Sequence, residues 1–421
     1  MALFLEKIFK IRKSLQLLLI SLLLIYFRDS RFLTHPRLWA EEGPIYLLHA
    51  IKNGFWGVFY PNLDQSASID YINYYSFLPN FATYIGVKFF PLEYLAHVTT
   101  YISAFFQLFT VFIIFRSAKS LIYNKNLCMA VALSPIIFGS AETWLNSINI
   151  QFWFTTGILF ILSSKKISKI DIFYSAISFF TSVGSLFFLP FILLRLIRDK
   201  FHKKSIFILS ILGTSGLIFQ SLALISSGGF NSRFKFYLLK NLPKGLVSTL
   251  IPRIIYISDS LGSNNSEMFY NYSMILIILF FVALLIGSIY VCKQNLRNNE
   301  FNMRILIPIV SYWFLATFTS LNMSGGERYG LPVYSGSFFI MIIASEKASN
   351  ILKKRFILFA SLFFLVLRMF VFFETEKFYG SNWSNWKDQV IEMKNKKDKN
   401  IKVFPQWENT SIWQVDLELY R

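Results

Sequence analysis

Ser14-Leu15-Gln16-Leu17-Leu18-Leu19-Ile20-Ser21-Leu22-Leu23-Leu24-Ile25-Tyr26-Phe27 is an apolar run held between Lys13 and Arg28-Asp29-Ser30-Arg31. The basic residues before it, Lys7, Lys10, Arg12 and Lys13, give it the outline of a secretory leader. No small-x-small cleavage site follows, so the run reads as an uncleaved anchor. At 1.5 Å per residue it reaches about 21 Å, against a hydrocarbon core of about 30 Å. Lys13 and Arg28 can close the gap by snorkelling toward the headgroups.

The same signal recurs along the chain. Further apolar runs cover Leu92–Phe115, Leu127–Ala141, Phe152–Ser164, Ser205–Ile225, Phe269–Cys292, Ile305–Leu321, Leu331–Ala344 and Phe356–Phe373. Ile170–Ile197 is basic at both ends with Gly184 in its middle, and fits a hairpin of two short helices better than one long one. Over 421 residues, 54% of side chains are apolar, 19% aromatic and only 15% charged, and mean hydropathy is +0.49. A soluble domain carries roughly 25% charged residues. A soluble enzyme is therefore excluded, and the expected fold class is an all-α polytopic membrane protein.

Charge orients it. The 42 Lys and Arg exceed the 23 Asp and Glu by 19. That excess would raise nucleic-acid binding in a soluble chain. Here it sits in short clusters between apolar runs, as in cytoplasmic connectors, and nucleic acid is not an expected partner. Placing Lys7–Lys13, Arg116–Lys125, Lys165–Lys169, Arg195–Lys204, Lys293–Arg304 and Lys347–Arg355 inside gives about eleven transmembrane helices with the N-terminus cytoplasmic. Asp70–Phe90, with Pro79, Asn80 and its tyrosines, then lies in the interface instead of crossing. Residues 1–373 form the polytopic domain, with a long first outer loop at 29–91 containing interfacial helices. Residues 374–421 form a small outer-face tail.

The loop segments left over, 29–91, 142–151, 226–268 and 322–330, share the outer side with that tail. Loops held by a rigid scaffold carry function, so chemistry is expected there. The first loop holds Trp39-Ala40-Glu41-Glu42-Gly43-Pro44. Burial near lipid and a neighbouring acid both raise a carboxyl pKa, which suits Glu41 or Glu42 to act as general base for a hydroxyl acceptor. The competing reading is a solvated acidic helix start. Arg328 is the best phosphate partner, a permanent cation with a bidentate grip, and Tyr329 adds a hydroxyl; pairing of Arg328 with Glu327 is the bland alternative. Arg253, Lys244 and Arg233 make the loop 226–268 basic despite its outer placement, which a lipid phosphate or ordinary anionic headgroups would explain. Glu142, Asn146, Asn149 and Gln151 crowd polar groups into one short turn. With Trp39, the last three are the candidates for contacting sugar or acceptor; ordinary turn residues are the alternative.

In the tail, Trp383, Trp386, Trp407 and Trp413 favour an interfacial belt or a small packing core over sugar stacking. Cys128 and Cys292 offer no metal spacing, and the four histidines are scattered. No cofactor is expected, and a divalent metal stays open.

This layout resembles the glycosyltransferase-C superfamily, integral membrane enzymes that use polyprenyl-phosphate-linked sugars. Leu38-Trp39-Ala40-Glu41-Glu42-Gly43 is similar to the Trp-Ala-Glu-acid-Gly motif of a bacterial branch. Asn146-Ser147-Ile148-Asn149-Ile150-Gln151-Phe152-Trp153 and Gly326-Glu327-Arg328-Tyr329-Gly330-Leu331-Pro332 are similar to segments of that branch. The resemblance implies Glu41 as the catalytic acid that deprotonates or orients the acceptor hydroxyl, and Glu42 as the supporting acid. Many members carry aspartate first, so which acid is the base stays open. It further implies an inverting sugar transfer from a polyprenyl-phosphate-sugar donor to a lipid-linked or surface glycan acceptor. The setting would be the periplasmic face of a bacterial inner membrane. Rival readings are an O-antigen polymerase or ligase, expected to use outer-loop Arg or His, and a transporter or flippase of lipid-linked sugars, expected to show mid-span polar residues and repeats.

Overall fold

The computed structural model describes residues 2–61, 74–198, 204–226, 236–250, 264–295, 301–320, 323, 326–373, 385–396, 400–402 and 414–416. Each apolar run of the sequence overlaps a helix, and the described residues form fourteen α-helices of nine residues or more. They are α1 (Ala2–Arg28), α2 (Phe77–Phe89), α3 (Leu95–Ala118), α4 (Lys125–Phe138), α5 (Ile150–Ser163), α6 (Lys169–Thr181) and α7 (Leu189–Arg198). They continue as α8 (Lys204–Ser226), α9 (Leu242–Leu250), α10 (Asn264–Asn295), α11 (Ile307–Phe318), α12 (Glu327–Lys347), α13 (Ile351–Phe373) and α14 (Trp386–Lys396). Among the described residues the only strands are β1 (Asn400–Lys402) and β2 (Gln414–Asp416), antiparallel with Ile401 opposite Val415.

By length and composition, two described helical stretches can cross a bilayer, Leu92–Ala118 and Lys204–Ser226. The pair Lys169–Thr181 and Val183–Arg198 makes a third if taken as one broken span. That pair is the expected hairpin: it turns by 117° at Ser182. Ser182 leaves the helical region and its side chain accepts from the Ser185 amide, restarting the helix. Gly184 lies against α5, where an added Cβ would stand 2.7 Å from Thr155 Oγ1. The arms Lys169–Thr181 and Val183–Arg198 span 13 and 16 residues, so each is shorter than the hydrocarbon core at about 20 and 24 Å.

Contacts sort into two ends of the bundle. At one end the basic connectors cap helix termini. Glu346 accepts from the amides of Tyr123 and Asn124, each at 2.9 Å. Arg116 donates to Ser168 and lies 3.8 Å from Asp171, and Arg195 donates to the carbonyls of Leu162, Ser164 and Lys165. These bonds satisfy carbonyls and amides that every helix end leaves open. Both ends of the hairpin return here.

At the other end the C-termini of α1, α4 and α13 meet. The Arg28 guanidinium stacks over Trp144 and Phe372 at 4.3 and 4.5 Å and donates to the Gly139 carbonyl. Arg368 donates to the Phe138 carbonyl at 3.4 Å. The buried core between the ends is rich in aromatic and branched side chains, with α12 and α5 at its centre.

Candidate functional site

The turn between α4 and α5, residues 139–149, organises this second end. Pro135 near the end of α4 is followed by Gly139, whose amide bonds back to the Pro135 carbonyl. Leu145 is buried with φ of +48°, a conformation bulky side chains rarely adopt. Surrounding bonds hold it there. The side chains of Asn146 and Asn149 both donate to the Glu142 carbonyl, at 2.6 and 2.7 Å, and the Asn149 amide donates to Asn146 Oδ1. Gln107 and Trp153 side chains donate to the Thr143 carbonyl.

Into this turn reaches the acid pair of the first loop. Residues Ala40–Glu42 form a short 3-10 turn that runs into a wide helical turn at Gly43–Leu47, with Pro44 in its first turn. Glu42 is only 1% exposed. Its Oε1 accepts from the Ser147 amide at 2.7 Å and the Ser147 hydroxyl at 2.5 Å, and its Oε2 accepts from the Trp39 amide at 2.8 Å. Burial pushes the carboxyl up to about 7, while these donors pull it back and the charge of Glu41 adds a little to the rise. Glu42 thus joins two segments 105 residues apart. Glu41 is half-buried on the same 3-10 turn.

Arg328 opens α12 beside them. Its guanidinium lies 3.6 Å from Glu142 and over the Tyr329 ring at 5.2 Å, and about a third of its side chain is exposed. Tyr329 foremost, then Glu142 and Glu41, favour the cation over the desolvation that opposes it. Tyr329 in turn packs edge-on against Phe152. The structure therefore gathers Glu41, Glu42, Glu142, Arg328 and Tyr329 around one turn. The ion-pair partner of Arg328 among the described side chains is Glu142; the side chain of Glu327, the bland alternative, lies outside them.

The remaining candidates fall differently. Trp39 is buried, 5.7 Å from the Arg37 guanidinium. Asn146 and Asn149 are buried and spend their side chains on the turn itself. Gln151 is half-buried and donates to the Tyr74 hydroxyl. Lys244 is exposed on α9, a helix that packs on α11 and α12. Arg233 and Arg253 lie outside the described residues. No group of three His, Cys, Asp or Glu is placed to hold a metal among the described residues.

One residue that sequence reading passed over, and one of the tail tryptophans it gave to a belt or small packing core, matter here. Ser147 sits inside the quoted turn motif, but its short side chain carried no signal beside its longer neighbours. Trp386 of the tail is 1% exposed, packed among Leu38, Leu47, Leu92 and Leu95. Its indole donates to the Leu92 carbonyl at 2.8 Å, its amide to the Pro36 carbonyl, and Lys394 pairs with Glu93 at 2.5 Å. β2 runs beside Gly43–Leu47. The tail thus packs on the loop that carries the acids, through a small core of the expected kind.

No known family model matches the chain, and no curated protein sequence matches it.

Proposed function

We propose that this chain is a polytopic membrane glycosyltransferase that moves a sugar from a polyprenyl-phosphate donor to a hydroxyl of a cell-surface glycan or lipid acceptor. The observation that carries the reading is the division between two adjacent acids. Glu42 is spent on three protein donors, while half-buried Glu41 acts on the same Arg328 that Glu142 steadies. A base and a phosphate-binding cation then flank one spot.

In this mechanism Glu41 takes the proton of the acceptor hydroxyl as its oxygen bonds to the anomeric carbon. The bond from that carbon to the phosphate oxygen breaks with inversion, through an oxocarbenium-like state. Arg328, aided by the Tyr329 hydroxyl, stabilises charge building on the departing phosphate. Glu42 holds the loop in register through Ser147, and Lys244 and Arg253 add positive potential for the lipid phosphate. About eleven crossings, the hairpin counted as two, would place this end on the periplasmic face of a bacterial inner membrane, N-terminus in the cytoplasm.

The deciding experiment is transfer of radiolabelled sugar from polyprenyl phosphate by purified protein, wild type beside Glu41→Gln and Glu42→Gln. Loss of transfer in folded Glu41→Gln is the expected result. Full activity in both variants would overturn the base assignment, and no transfer from any polyprenyl donor would overturn the reaction. Cysteine labelling at positions 41 and 328 should occur from the same, outer side.

A further inference from the structure

Beyond the acid pair, the first loop builds a second surface. Immediately after the helix Leu48–Asn53, the 3-10 helix Gly54–Phe59 turns Phe55, Trp56 and Phe59 outward; Trp56 is 71% exposed. Across from it α2 presents Tyr84 and Phe89, the latter 64% exposed. The rings touch edge to edge: Phe55 meets Trp56, Phe59 and Tyr84 at 5.7, 5.2 and 5.7 Å, and Tyr84 meets Phe89 at 6.4 Å. Exposed Lys52 and Lys88 stand next to these rings in the chain.

This platform is rigid. The Gly57 carbonyl can only accept, so His49 Nε2 carries the proton of their 2.9 Å bond, and Nδ1 accepts from Asn53. An added Cβ at Gly57 would stand 3.1 Å from His49 Nε2, which closes that position to larger side chains. The Tyr75 hydroxyl donates to the Val58 carbonyl. Gln220 clamps the Tyr75 backbone from both sides, donating to its carbonyl at 2.6 Å and accepting from its amide at 3.0 Å.

Those attachments set its depth. Gln220 belongs to Lys204–Ser226 and Phe89 stands three residues before Leu92–Ala118, the two stretches long and apolar enough to cross a bilayer. Gln220 is within two turns of the end of its helix, and α2 ends where the other stretch begins. Both place the platform level with helix ends, where ring-rich surfaces beside lysines meet headgroups.

We infer that the ring platform of Phe55, Trp56, Phe59, Tyr84 and Phe89 is seated in the outer membrane leaflet at headgroup level, with Lys52 and Lys88 on anionic lipid phosphates. The inference rests on the reading that these stretches cross a membrane, and it explains what the loop does there. Glu41 is carried on the same loop, within about fourteen residues of Phe55 along the chain, so the acid is held near the plane where a lipid-borne phosphate lies.

The experiment uses the full chain with Cys128 and Cys292, both buried, replaced by Ala, in discs of mixed neutral and anionic phospholipid. An environment-sensitive fluorophore is attached in turn at Trp56→Cys, Phe89→Cys and, as a mid-span control, Phe105→Cys, a ring 60% exposed within Leu92–Ala118. Nitroxide lipids labelled high on the acyl chain should quench positions 56 and 89 several-fold more than position 105, and lipids labelled near the acyl end should do the reverse. Replacing Lys52 and Lys88 by Gln in the proteins labelled at 56 or 89 should reduce the gain in quenching that anionic lipid brings. Quenching of positions 56 and 89 by a water-soluble nitroxide alone would overturn the inference. So would protection from lipid and soluble quenchers alike, which would mean a protein partner covers the rings. None of these readings needs sugar transfer, so failure here and failure of the transfer assay are separable.

Discussion

Ser147 donates both its amide and its hydroxyl to one oxygen of Glu42, at 2.7 and 2.5 Å, and thereby locks the first loop to the turn between α4 and α5. Protein donors take three of the roughly four acceptor sites of that carboxylate, Oε2 accepting from the Trp39 amide. The proposed reaction assigns proton transfer to its neighbour Glu41.

The two acids should therefore fail in different ways. Glu41→Gln should lower transfer by about 10²–10⁴-fold, the usual worth of a positioned base, with thermal stability in detergent unchanged. Glu42→Gln should cost about 1–3 kcal/mol of stability, because its amide NH2 would face donors where an acceptor is required. Parallel activity and melting measurements separate the outcomes. Equal melting of both variants would refute the division of roles.

Glu42 also makes stability depend on pH. Its folded pKa of about 7 lies above the ordinary carboxyl value of 4.5, so the folded state holds the proton more tightly than the unfolded one. The stability this contributes is present below pH 4.5 and is lost as pH rises to about 7. The difference is at most about 3 kcal/mol. Denaturation of wild type and Glu42→Gln across that window should show the fall only in the wild type. Ser147→Ala removes one donor and should move the fall to higher pH.

Arg328 tests the donor side. Its ion pair with Glu142 is partly exposed, so Arg328→Gln should change stability by no more than about 1 kcal/mol. Apparent KM for the polyprenyl-phosphate donor should rise about tenfold to a hundredfold, as for loss of a charge-assisted bond. Arg328→Lys should recover only part of it, because a lysine ammonium lacks the planar fork. An unchanged KM would remove Arg328 from the site.

Trp386 tests the docking of the tail. Trp386→Ala should cost about 3–5 kcal/mol locally and open the segment around α14 to protease while the helical core stays resistant. Trp386→Phe, which keeps ring packing but loses the bond to the Leu92 carbonyl, should cost about 1 kcal/mol. Proteolysis that treats all three proteins alike would contradict docking.

Much of this architecture was legible without a structure because hydropathy and charge are local. Every apolar run from Ser14–Phe27 to Phe356–Phe373 overlaps a helix, and the bend at Ser182 falls two residues from Gly184, the glycine that marked the hairpin. Glu41, Glu42 and Arg328, with Tyr329 beside it, were visible as polar groups between apolar runs, in segments expected to be outer loops, where such groups need a reason.

The partners of those groups were not legible. Glu142 beside Arg328, Ser147 on Glu42, Trp386 under Leu92 and Arg28 between Trp144 and Phe372 all join residues far apart in the chain. Periodicity says which face of a helix is apolar and leaves open which loop meets which. That was decided by the packed ends of the bundle, where unpaired helix-terminal amides and carbonyls must find donors and acceptors wherever the fold brings them. So the sequence by itself determined the helices, their order and the acid pair. Only the tertiary structure decided that one of those acids is spent on a serine.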